Sequence, residues 1–195
     1  MIDNNKYKLD AINFDQDDWE LINAIRSVQE KHRFKPINIL EIGSGNACLV
    51  YSLSIEMIKW VQKLISIDVI NESSPPDKLF YEKRTAFSTI YNHDKEKVDA
   101  MEANANDANV IKSIKDFFLE DEVSVFIIEY LKDDKYMNEI ISNYEDILDE
   151  RTIIIYKYLN KSSKSIKYFN KLSKKYTKIK RLENGVGIGV IYEWK

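Results

Sequence analysis

Cysteine is nearly absent from this chain: Cys48 stands alone among 195 residues. A single thiol cannot close an intrachain disulfide, so a reducing, cytoplasmic setting is expected. Cys48 follows a glycine turn on an apolar helical face, which suits a small buried hydrophobe better than a nucleophile. Histidine is scarce too, with two residues. His32 precedes the first predicted strand, and His93 lies in the polar turn Asn92-His93-Asp94. Neither has metal-ligand spacing, so no metal is expected. Long apolar runs are missing as well. No stretch approaches the roughly 18 residues that a membrane-spanning helix needs. Met1 to Lys6 shows none of the apolar core of a signal peptide. All five glycines fall in two short stretches, Gly43 with Gly45 and Gly185 with Gly187 and Gly189.

What is present describes an ordinary folded protein. Hydrophobic residues make up 44% of the chain and charged residues 31%, with a formal net charge of −3. That hydrophobic share is too high for disorder. The charge is uneven: from Arg151 onward there are twelve basic residues against Glu183 and Glu193, and the rest has seventeen basic against thirty acidic. Such a tail is either a surface for an acidic partner or a solvated helix face that offsets the acidic body.

The length predicts one domain, residues 1–195, with a helical lead-in over 1–36. Trp19, Ile22, Ile25 and Val28 recur at helical spacing between Asp15 and Lys31, and Pro36 ends that helix. Strands are expected at 37–42, 64–70, 98–101, 123–128 and 152–158. Helices are expected at 47–62, 77–91, from Asn106-Asp107 onward, 136–148 and 165–175. The chain closes on two strands, 176–182 and 186–194, split by the hairpin signal Asn184-Gly185. Strands alternating with helices imply a doubly wound α/β fold. The expected form is a mostly parallel seven-stranded sheet with helices on both faces and a C-terminal antiparallel hairpin.

The segment Ile37-Asn38-Ile39-Leu40-Glu41-Ile42-Gly43-Ser44-Gly45-Asn46-Ala47 carries the chemistry. An apolar strand runs into an acid and then a Gly-x-Gly turn, and a helical pattern follows. Such a unit brings backbone N–H groups against a nucleotide-like ligand. About 20 residues on, the second strand ends at Asp68, where a carboxylate can hold ribose hydroxyls. A tight turn beside a surface acid is the plainer alternative. A dinucleotide fingerprint requires a third glycine where Cys48 stands, and no Gly-Lys-Ser/Thr follows for a Walker loop.

These residues resemble the first motif of the class I S-adenosylmethionine (SAM)-dependent methyltransferases: an acid and Gly-x-Gly-x-Gly, matched by Glu41, Gly43 and Gly45, with Ala47 in place of the last glycine. The resemblance implies SAM as cofactor. It lays the turn, Gly43 with Ser44, Gly45 and Asn46, against the methionine part. It puts Asp68, followed by Val69, on the ribose, and Glu102, Ala103 and Asn104 along the adenine. Glu129 and Tyr130 at the end of strand four would face the substrate. A narrower likeness, over about residues 37–191, is to the small bacterial O-methyltransferase and cephalosporin-hydroxylase-like group. It rests on Glu102-Ala103-Asn104-Ala105-Asn106-Asp107, Phe126-Ile127-Ile128 and Gly185-Val186-Gly187-Ile188-Gly189-Val190. The chain departs from that group's metal-type segments, with Glu129-Tyr130-Leu131-Lys132-Asp133-Asp134 after strand four and Lys157-Tyr158-Leu159-Asn160 after strand five. Glu150-Arg151 replaces the usual Gly-Gly.

Methyl transfer from a sulfonium needs positioning and at most removal of a proton, so no fixed acid–base motif is demanded. Glu129 is the candidate catalytic base or acceptor-orienting group, with a solvent-facing strand cap as the alternative. Tyr130, Asp133, Lys157 and Tyr158 are candidates by position. The expected activity is methyl transfer to oxygen or nitrogen of a small-molecule acceptor. A homodimer through the hairpin edge is possible, and no membrane partner is expected. Two alternatives remain. One is an inactive methyltransferase-like partner subunit. The other is an RNA or DNA methyltransferase using the lysines at 161, 164, 167, 171, 174 and 175, although a pI near 5.6 argues against nucleic acid.

Overall fold

The computed structural model describes residues 25, 30, 36–43, 61–68, 98–119, 121–128, 134–157, 159–161, 163–174, 178–182 and 187–192. Strands β1 (Ile37–Ile42), β2 (Val61–Asp68), β3 (Val98–Glu102), β4 (Val123–Ile128) and β5 (Leu148–Tyr156) pair in parallel. Strands β6 (Lys178–Leu182) and β7 (Ile188–Tyr192) form an antiparallel pair, with β7 also antiparallel to β5. The sheet order is β3-β2-β1-β4-β5-β7-β6. Helices α1 (Ala108–Phe118), α2 (Asp134–Tyr144) and α3 (Ser163–Ser173), with two 3-10 turns, Glu145–Ile147 and Leu159–Lys161, complete the described elements. The helices expected over 47–62 and 77–91 lie outside the described residues, except that Val61 and Gln62 belong to β2. Of the N-terminal helix only Ile25 and Glu30 are described; both are helical, with Ile25 buried and Glu30 exposed.

Strand β1 is buried at all six positions, and β4 at five of six. Successive strand side chains point to opposite faces, so both faces of the sheet are covered at its centre. Leu40, Ile42, Phe126, Ile128, Ile154 and Tyr156 meet Ile114, Phe118, Ile140 and Tyr144 in one apolar cluster. The alternate positions Ile39, Glu41, Ile127 and Ile155 are equally buried.

Polar side chains fasten the amino edge. The Asn38 side-chain amide donates to the Glu122 carbonyl at 3.0 Å, and its backbone N–H donates to Ser124 Oγ at 3.2 Å. Asp107 caps α1, accepting from the N–H of Asn109 and Val110. At the other end of α1, Lys63 from β2 donates to the carbonyls of Phe117 (3.0 Å) and Phe118 (3.2 Å) and pairs with Asp121 at 2.7 Å. A cation there satisfies orphan carbonyls and complements the helix dipole.

Besides the earlier start of β2, other boundaries differ from the sequence expectation. The helix expected over 136–148 ends at Tyr144 and passes through a 3-10 turn, Glu145–Ile147. Strand β5 starts at Leu148, not 152, because Leu148 pairs with Val123. Between them the register shifts, and Asp149, Glu150 and Arg151 form a bulge. The Thr152 hydroxyl closes it, donating to the Val123 carbonyl at 2.6 Å and accepting from the Asp149 N–H at 2.9 Å. Helix α3 begins at Ser163, two residues early. Of its expected inward residues, Phe169 is buried and Ile166 half-buried, while Lys164, Lys167, Lys171 and Lys174 are exposed.

Gly189 of β7 has a packing role. A side chain at Gly189 would strike the Phe169 ring and come within 2.8 Å of Leu159 Cδ1. Gly189→Ala is therefore expected to destabilise the fold by about 1–3 kcal/mol through overpacking, read as a lower urea midpoint. Smaller loss on pairing it with Phe169→Leu would confirm the clash.

Candidate functional site

Strand order reverses between β1 and β4: the chain goes from β1 outward to β2 and β3, then returns to β4 on the other side. In open α/β sheets the crevice at the carboxyl ends beside such a switch point is the ligand site. Gly43 stands there. Its N–H donates to the Ile67 carbonyl at 2.7 Å, so the β1–β2 ladder continues through it. The backbone then turns with φ +83°, a conformation that a Cβ disfavours.

One pleat below, Glu41 is fully buried and lies opposite Ser66, which is also fully buried. The Ser66 hydroxyl donates to Glu41 Oε2. A buried carboxyl needs such donors. Asp68 ends β2 one position beyond the Ile42–Ile67 pair, level with Glu102 at the end of β3. Glu41, Gly43 and Asp68 therefore gather at one rim, on adjacent strands.

The loop after β3 is held in shape. Asn104 Oδ1 accepts from the Asn106 N–H at 3.0 Å, and the Asn104 carbonyl accepts from the Asp107 N–H at 2.9 Å. The side chain of Asn104 remains exposed, and Ala103 is half-buried. Helix α2 clamps this loop from the side: Tyr144 donates to the Ala105 carbonyl at 2.7 Å, and Asn143 Nδ2 donates to Asn106 Oδ1 at 3.0 Å. Burial pushes the Tyr144 hydroxyl well above the ordinary tyrosine range, with a contribution from Tyr136, so it remains a donor at any physiological pH.

On the other side of the switch point, the Lys157 N–H donates to the Ile128 carbonyl at 3.0 Å, one residue past the end of β5. Its residue is 5% exposed. Five sequence candidates, Ser44, Gly45, Asn46, Val69 and Glu129, lie outside the described residues. So do Tyr130, Asp133 and Tyr158. Ser66, Asn143 and Tyr144 were missed. A lone serine inside the apolar run Leu64-Ile65-Ser66-Ile67 was the signal for the first; nothing local marks the other two. Among the described residues no group of three or more His, Cys, Asp or Glu comes together, and no helix is long and apolar enough to cross a membrane.

No protein-family model matches the sequence, and no curated protein matches it by sequence. Solved structures match it by shape. A putative O-methyltransferase from Klebsiella pneumoniae superposes over 97% of this chain and 86% of its own, with TM-score 0.58 and 15% identity. Magnesium protoporphyrin IX methyltransferase from Synechocystis PCC 6803, solved with SAM, covers 90% of this chain and 79% of its own, with TM-score 0.55 and 9% identity. The apo TDP-rhamnose 3'-O-methyltransferase of calicheamicin biosynthesis covers 88% and 79%, with TM-score 0.64 and 9% identity. The chain has the class I methyltransferase fold.

Within this methyltransferase fold, the Glu41–Ser66 contact and the Tyr144 clamp lend themselves to direct tests. Ser66→Ala removes a donor from a buried carboxyl and is expected to lower the unfolding free energy by about 1–3 kcal/mol, measured in urea. Tyr144→Phe is expected to cost about 1 kcal/mol and to speed amide hydrogen exchange across residues 103–107. Unchanged exchange there would mean that the hydroxyl does not hold the loop.

Proposed function

We propose that this chain is a SAM-dependent methyltransferase acting on oxygen or nitrogen of a small molecule in the cytoplasm, as one domain over 1–195. The observation that carries the reading is the meeting of Glu41, Gly43 and Asp68 at the switch-point rim of a class I methyltransferase fold. The doubly wound form, with helices on both sheet faces, is part of the reading and is supported by the burial of alternate positions along β1.

The described residues suit such a cofactor chemically. Gly43 offers backbone without side-chain bulk at the strand end, and the residues that follow it in sequence, Ser44, Gly45 and Asn46, are assigned to the methionine part of the cofactor. Asp68 carries a carboxylate, which can accept from two ribose hydroxyls, and Val69 follows it in the sequence. Ala103 and Asn104 offer a small surface and an exposed amide for a purine. Glu41, fully buried with the Ser66 hydroxyl on its carboxylate, stands two residues before Gly43 and on this reading is counted with the cofactor-binding residues. When bound, SAM supplies the electrophilic methyl group. The chain has to orient the acceptor in line, exclude water and take up one proton, a role assigned to Glu129, the residue that follows β4 in the sequence.

A second reading draws on the exposed Lys164, Lys167, Lys171 and Lys174 of α3: a nucleic-acid acceptor held through its phosphates. Binding to a short RNA that weakens steeply with salt would favour it.

Titration calorimetry with SAM and S-adenosylhomocysteine tests the main reading. Both should bind, and Asp68→Ala should weaken both by at least about tenfold, near 1.4 kcal/mol. Failure of either ligand to bind folded protein at millimolar concentration overturns the assignment. Binding without turnover on any acceptor would instead mark a partner subunit.

A further inference from the structure

One end of the molecule carries charge of a single sign. Between Arg151 and Leu182 the chain has eleven basic residues and no acidic one. That stretch supplies most of β5 and all of α3 and β6, and among the described residues β6 is an outermost strand of the sheet. Helix α3 is packed on the sheet by one side: Ser165 and Phe169 are buried, and the Phe169 ring stands 6.1 Å from that of Tyr156. The other side is cationic. Lys164, Lys167 and Lys171 fall within about 60° of the helix circumference, and Lys174 follows in the turn after it; all four are exposed. Two lysines elsewhere are matched, Lys63 with Asp121 and Lys115 with Asp146, each at 2.7 Å. Among the described residues no acid pairs with any of the four.

Such a row of like charges fits a polyanion, whose counterions are released on contact. Before Arg151 the chain has seventeen basic residues against thirty acidic, so an anionic polymer is repelled there and admitted at this end. The chemistry of the row selects among polyanions. A protein interface has an apolar centre and is depleted in lysine; among the described residues the exposed large hydrophobic is Leu119, which follows α1. A helix that lies on a membrane inserts an apolar face, and α3 has its apolar face against the sheet. Nucleic acid needs neither, because phosphates alone supply the contact. Helix α3 has no arginine, and lysine lacks the fork with which arginine reads guanine in a DNA major groove. A rigid row also suits a rigid backbone, since a single strand has to be ordered first. Recognition of a stiff backbone by shape, with the bases hidden in a deep, narrow groove, is the mode of duplex RNA.

We propose that the lysine row of α3 is a docking surface for duplex RNA, held by its phosphates without base readout. It shares its lysines with the nucleic-acid reading above and deepens it, yet it holds whether or not the RNA is the methyl acceptor. Helix α3 touches β5 through Tyr156 and β7 through Gly189, two and three strands from the β1 that leads to Gly43. Strand spacing makes that about 10–14 Å across the sheet. Docking of a duplex and binding of a cofactor at the rim are therefore separable events.

The test titrates the full chain into a fluorescent RNA duplex, the DNA duplex of the same sequence and the single RNA strand, read by anisotropy over about 50–200 mM salt. Duplex RNA is expected to bind more tightly than the other two, and alike for unrelated sequences. Its log affinity should fall against log salt with a slope of about −3 to −4, as four phosphate contacts require. The quadruple variant Lys164→Gln, Lys167→Gln, Lys171→Gln, Lys174→Gln should flatten that slope by about three and weaken binding at least about tenfold. Lys167→Gln alone should flatten it by about one, whereas Lys112→Gln, at an exposed lysine of α1, should leave it unchanged. The changed side chains are exposed, so the urea midpoint and the affinity for S-adenosylhomocysteine should stay within about twofold in free-energy terms of a surface change. Four outcomes each overturn the proposal: no duplex RNA bound by the unaltered protein, duplex RNA bound no better than duplex DNA or the single strand, a slope insensitive to the quadruple variant, or phosphatidylserine vesicles that outcompete duplex RNA. The first two require no variant. A docked duplex that receives no methyl group from SAM leaves the surface standing and removes the nucleic-acid acceptor. If S-adenosylhomocysteine does not bind but the RNA pattern holds, the methyltransferase reading falls and the docking surface stands.

Discussion

The structure depends on a carboxyl group placed where water cannot reach it. Glu41 sits in a strand buried on both faces, between two parallel neighbours. Left without donors, it would oppose the pairing that buries it. Ser66 supplies a hydroxyl directly across the β1–β2 ladder, so polar satisfaction and strand register become one event. A slip of one residue would set Ile65 or Ile67 against Glu41 and turn the hydroxyl to the other face. The same register brings Gly43 level with the end of β2 and so forms the rim where Asp68 ends its strand.

The two rims are built differently. At the amino rim, side chains are used up in holding elements together: Asn38 ties β1 to β4, and Lys63 ties β2 to α1 and Asp121. At the carboxyl rim, Gly43 and Lys157 each donate a backbone N–H to a neighbouring strand. That division suits a fold in which one end is for stability and the other for ligands. The Tyr144 and Asn143 clamp shows how rigidity reaches the carboxyl rim: α2 grips the loop that carries Asn104 through Ala105 and Asn106, and leaves the Asn104 side chain exposed.

Regular patterns were legible in the sequence to the residue. Strands β1 and β4 have the bounds that their apolar runs announce, and Asp107 caps α1 as its spacing from Val110 and Ile111 suggests. The misread boundaries share a cause. Val61 and Gln62 look like the end of a helix, and Leu148 like the end of another, because apolar residues satisfy either period over so short a span. Pairing with Ile37 and Val123 decided for strand. The site divides in the same way. Gly43 and Asp68 could be placed from strand ends and spacing, whereas Ser66 reads as an interruption until Glu41 is known to face it.

By itself, the sequence determined the alternation of strands and helices, the acid-and-glycine turn and the acidic end of the next strand, because each depends on neighbours within a few residues. Which strands lie side by side was decided only in three dimensions. That choice placed Ser66 on Glu41 across 25 residues, Tyr144 on Ala105 across 39, and Lys157 beside the end of β4. Burial and hydrogen bonding are collective: a polar side chain acquires its partner, and with it its role, only once distant segments have excluded water around it.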